Sequence, residues 1–153
     1  MAKPKPVQSF EARRDKFLTE HNLKDAYDAL ITSETPEAVA EALNGLIDAM
    51  EKYVDSIPVG RPDDKISSGF FCVEIVANAA KSLPKTPDMR DNFLHIFKKS
   101  AFLRRAVDGY AGSQQQDTYQ LRSKLDRQVV AAFNPETNPQ VIDPRMTERL
   151  RHR

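Results

Sequence analysis

Cys72 is the chain's single cysteine, and it sits inside "SGFFCVEIVANAA", the densest apolar run of the 153 residues. It is the only thiol that could serve as a nucleophile. A reactive cysteine needs solvent access and a neighbouring cation or helix amino terminus to stabilise its thiolate, whereas Cys72 is flanked by Phe71 and Val73. The expected role is therefore structural, in a core. A lone thiol also excludes an internal disulfide framework and fits a reducing compartment or indifference to redox state.

The other groups that could do chemistry are scattered. His21, His95 and His152 are far apart in sequence, and no two share a helical face at ligand spacing. Asp91, His95 and Lys99 align at successive intervals of four, which permits a local hydrogen bond and a weak ion pair but falls short of the four ligands of a usual zinc site. No metal or other cofactor is expected. Glu37, Glu41, Asp48, Glu51 and Asp55 form an acidic row at turn spacing. Acid and base catalysis needs two carboxylates in unequal environments inside a cleft, and an exposed row gives every member much the same water. That row reads as a solvated face with a secondary capacity to meet a basic partner. Lys98, Lys99, Arg104 and Arg105 could be that partner within the same molecule, or an anion-binding patch of their own. No phosphate-binding glycine loop, nucleophile elbow, zinc-binding helix pair or calcium loop occurs.

The elements that would carry these residues are helical. Five Gly and no Trp leave few of the tight turns that all-β folds require, and the apolar positions recur at three and four. Ser9 is placed to cap a helix to about His21 with Phe10, Arg14, Phe17 and His21 along one side, and Asn22 to cap the next, "LKDAYDALI". Thr35 and Pro36 start the clearest helix, which Pro58 closes; its stripe runs Val39, Leu43, Leu46, Ile47, Met50, Val54 and Ile57. The Cys72 segment, at about 66 to 83, shows one narrow polar stripe of Ser67, Glu74, Asn78 and Lys81 among apolar residues. A central β-strand there would need strand neighbours, and no second run supplies one. Thr86 and Pro87 repeat the start signal for a helix at about 87 to 108 that stops at Gly109. Its apolar face drifts, so this helix either bends near Ser100 or is covered on two sides. Leu121, Leu125, Val129, Ala132 and Phe133 mark the last long helix, ending before Pro135.

The expected architecture is a single-domain all-α bundle over residues 9–133. It has five main helices, six or seven with short pieces, and the helices at about 66 to 83 and 87 to 108 are central. Residues 1–8 are expected to be a disordered arm and 134–153 a proline-containing basic arm with a short helix starting at Asp143 and Pro144. Charge follows the same division. Residues 1–16 carry five basic and two acidic side chains and residues 145–153 four and one, so each end is +3 and the rest is −5 within a total of +1. The composition, 40% hydrophobic and 29% charged, is that of an ordinary globular chain, and no apolar stretch reaches membrane-spanning length. The opening "MAKPKPVQSFEARR" lacks the hydrophobic centre of a secretory signal, so a cytoplasmic protein is expected, or one delivered by signal-less secretion.

With no catalytic constellation, the leading expectation is a non-enzymatic protein-protein interaction module of adaptor, chaperone-like or secreted bacterial effector type. Phe102 and Leu103 exceed what one buried face of their helix needs, and with Lys98, Lys99, Arg104 and Arg105 they are the expected contacts for a protein partner or a second copy. The alternative is a small nucleic-acid or anionic-surface binder using the basic ends and the Lys98 to Arg105 cluster.

Overall fold

A computed structural model describes residues 8–134. The expectations for the two arms lie outside the described residues except at Gln8 and Asn134, as do the short helix at Asp143 and the position of His152. Among the described residues seven α-helices follow one another: α1 Phe10–Glu20, α2 Lys24–Ile31, α3 Pro36–Asp55, α4 Pro62–Ala79, α5 Pro87–Lys99, α6 Ala101–Ser113 and α7 Thr118–Ala132. A single 3-10 turn, Ala80–Ser82, extends α4, and no strand occurs among the described residues. The all-α expectation holds; five is not the exact count, since counting short α2 and dividing the segment after Thr86 at Ser100 brings the number to seven, the upper end of what was expected.

The starts obey simple capping chemistry. The hydroxyls of Ser9, Thr35, Thr86 and Ser100 and the Asp117 carboxylate each accept a hydrogen bond from the backbone N–H three residues on, at 3.0–3.2 Å. Each cap satisfies one amide that the first turn leaves without a helical partner. Pro36, Pro62 and Pro87 occupy the first turns of α3, α4 and α5, where a missing N–H costs nothing. The start of α4 lies at Pro62, four residues before the expected 66. Its cap position is Arg61, which has no capping hydroxyl, so the usual sequence sign is missing. Asp63 and Asp64 instead place negative charge on the positive end of the helix dipole, and Arg61 pairs with Asp64 at 2.5 Å.

Two helix ends correct the sequence reading. Asn22 does not cap α2. It has φ 57°, and the N–H of Leu23 donates to Leu18 O at 2.8 Å, so it forms the left-handed residue of a Schellman closure on α1. Gly109 does not stop the sixth helix either. It continues to Ser113 and closes in the same way, with Gln115 at φ 54° and the Gln116 N–H donating to Ala111 O at 2.9 Å.

α4 is the central element. Cys72, Val73, Ile75, Val76, Ala77 and Ala79 are buried, whereas Ser67 and Lys81 are exposed and Glu74 and Asn78 half-buried, which reproduces the narrow polar stripe. Its closest neighbour is α6. A Cβ placed on Gly69 would lie 3.5 Å from that of Ala106, and beside this contact Phe70 and Tyr110 stack at 3.8 Å between centroids. α3 packs on α2, α5 and α4, while α7 closes the far side with Leu121, Leu125, Val129 and Phe133 buried. α1 is held by fully buried Leu18 and by rings: Phe10 and Phe17 meet Phe71 edge-on at 5.8 and 5.1 Å, and His21 stacks on Tyr53 at 3.9 Å. Arg14 lies over the Tyr27 ring at 5.4 Å. The expected single face of Phe10, Arg14, Phe17 and His21 is thus the face that docks.

Candidate functional site

The break at Ser100 decides where the six expected contact residues go. Ser100 is extended, with ψ 119°, and both ends α5 and caps α6, so the helical phase restarts there. Phe102 is only 6% exposed and Leu103 2%. They are core residues, not free apolar contacts: the second stripe that looked surplus on one continuous helix is the ordinary buried face of a separate one. Lys98, Lys99, Arg104 and Arg105 are exposed, but they do not form one patch.

Lys98 and Arg104 border a pocket of about 230 Å³ between α5, α6 and α7, floored by Phe97, Leu103, Val107 and Leu125. Asp126 and Arg122 complete its rim. Burial pushes the Asp126 carboxyl up against the opposing pull of Lys98 and Arg122. Arg122 is already engaged, gripping both oxygens of Asp108 at 2.5 and 2.6 Å. Lys99 instead borders a groove of about 520 Å³ between α3, α5 and α6, with Asp48, Glu51 and His95. His95 is exposed and makes no hydrogen bond or ion pair among the described residues, and Asp91 pairs with Arg90 rather than with it. Arg105 turns to the acidic row and pairs with Glu51, the one intramolecular contact there between that row and the four cations among the described residues. The rest of the row is exposed, as expected of a solvated face.

The most apolar of these surfaces is a third groove, of about 410 Å³, where the end of α3, the start of α4 and α6 meet. Val54, Ile66, Phe102 and Ala106 form its walls, Gly69 and Gly109 leave it open, and Pro62 and Val59 stand at its edge. Val59 is 88% exposed, the most exposed large hydrophobic side chain among the described residues. It sits in a tight turn fixed by the Arg61 N–H donating to Pro58 O at 2.9 Å. Asp55, Lys65 and Arg105 supply the polar rim. Val59 carries no signal in the sequence, being one apolar residue inside "PVGRPDD", a stretch otherwise typical of a solvated loop.

The groups with the largest shifts in acidity lie away from all three grooves. Cys72 is fully buried and its thiol is pushed up to about 12 by loss of solvation, which leaves no thiolate for catalysis near neutral pH. Lys85, missed in the sequence, is only 1% exposed. Its ammonium donates to Lys81 O at 2.7 Å and Ala80 O at 3.2 Å, at the negative end of α4 and its 3-10 extension, and lies 5.7 Å from the centre of the Phe133 ring. Burial lowers this amine to about 8. A single lysine between Pro84 and Thr86 has no periodicity to betray it. Among the described residues, no group of three or more His, Cys, Asp or Glu is placed to hold a metal ion, and no helix is long and apolar enough to cross a membrane. Comparison of the chain with protein-family models, with curated proteins and with solved structures gives no match.

Proposed function

We propose that this chain is a non-enzymatic protein-protein interaction module, of adaptor, chaperone-like or effector type, that acts through the groove between α3, α4 and α6. The observation that carries this reading is Val59, held out in solvent by a hydrogen-bonded turn at the edge of an apolar depression on helical walls. An exposed apolar side chain beside a groove with a polar rim is the usual make-up of a contact surface. Phe102 supports the groove from beneath and Arg105 belongs to its rim, so two of the six expected residues contribute there. The nucleic-acid alternative gains no support from the cations, since Lys98 and Arg104, Lys99, and Arg105 border three different surfaces.

The test compares the immobilised wild-type chain with Val59→Glu, a change at an exposed position that leaves the core intact. Partners captured from cell extract and counted by quantitative mass spectrometry should fall by about tenfold or more when the apolar contact is replaced by a charge. Equal recovery by both proteins would refute the assignment of the groove.

A further inference from the structure

The groove carries both halves of a contact. Val59 is an exposed apolar knob, and the depression next to it, walled by Ile66, Phe102 and Ala106, is a hole of matching character. Val59 stands at the rim of that hole, on a turn whose backbone is already fixed by the Pro58 to Arg61 hydrogen bond, so little ordering is needed before it can enter a partner. The rim also bears opposite charges. Asp55 is exposed and Lys65 half-buried, both border the groove, and neither makes an ion pair among the described residues. Arg105, the remaining rim cation, is occupied by Glu51.

A contact between two copies about a two-fold axis uses the same patch on both, so each element must face its complement on that one patch. This requirement is specific. A foreign partner can match such a patch too, but a second copy is certain to carry every complement at once, a hole for the knob and an ammonium for the carboxylate. We infer that the groove is occupied by a second copy of this chain, with each Val59 entering the other's groove and Asp55 of each copy pairing with Lys65 of the other. This rests on the reading of the groove as a contact surface and adds the identity of what fills it.

Sedimentation of the full chain and of surface variants tests it. Wild-type protein should pass from monomer to dimer between about 1 µM and 1 mM, and Val59→Glu should remain monomeric across that range. Asp55→Lys and Lys65→Glu alone should each weaken self-association by about tenfold, since each converts two attractive contacts in the dimer into repulsions. Mixed in equal amounts, those two variants should associate with each other to within about threefold of wild type, because both cross-contacts are then attractive again. All three positions are on the surface, so circular dichroism should be unchanged. A wild-type chain that stays monomeric throughout overturns the proposal, while loss of captured partners in Val59→Glu would still leave the broader reading standing. A dimer that forms equally well in Val59→Glu, or a mixture no tighter than its components, also overturns it.

Discussion

Replacing Lys85 by Met should change how stability depends on pH in one defined window. The Lys85 ammonium is buried without a carboxylate among the described residues, and loss of solvation brings its pKa from 10.5 to about 8. Because the folded value is the lower one, the unfolded chain holds more protons between pH 8 and 10.5. Stability contributed by this site therefore rises with pH across that interval, and the cost of keeping the charge buried is fully present below about pH 8. Linkage puts that change at roughly 2–3 kcal/mol between pH 7 and pH 10. Urea denaturation of wild type and Lys85→Met at both pH values provides the measurement. Other titrating groups, the raised Cys72 and Tyr27 among them, act on both proteins alike and cancel in the difference. The level at pH 7 is not the test, since Met also leaves the Lys81 carbonyl without its donor, at about 1–3 kcal/mol, while Ala80 O keeps the Leu83 N–H at 3.2 Å. The slope is. Parallel stability profiles for the two proteins would refute the claim that a charged amine is held in this core.

Three further outcomes follow from the packing and the backbone. Gln115→Gly should stabilise the fold by about 1 kcal/mol in urea denaturation, because Gln115 holds φ 54° in the closure of α6 and glycine occupies that region without steric cost; a loss of stability would contradict this. Leu103→Ala should destabilise by about 2–5 kcal/mol, whereas a surface contact residue would cost almost nothing on the same measurement. Cys72 should react with a thiol reagent at neutral pH only slowly until denaturant is added, and prompt labelling of the native protein would place the sulfur outside the core.

The local order of this protein was written in its sequence. Ser9, Thr35 and Thr86 are short hydroxyl side chains just before apolar periodicity, and a cap depends only on residues within one turn, so those starts were legible. Burial of Cys72 was legible too, because it lies opposite the narrow polar stripe of Glu74 and Asn78, the side that α4 turns toward water. Proline and paired aspartates without a capping hydroxyl hid the start of α4, and left-handed Asn22 and Gln115 hid two ends, since only glycine advertises that conformation plainly. Tertiary structure alone decided the surface. Whether Phe102 and Leu103 face a partner or the core depends on the phase of α6, and a single ψ at Ser100 sets that phase. The position of Val59 beside its groove and the enclosure of Lys85 between the end of α4 and Phe133 join residues from separate elements. Hydrophobic spacing fixes which side of each helix is buried; how the helices are then set against one another determines what remains on the outside.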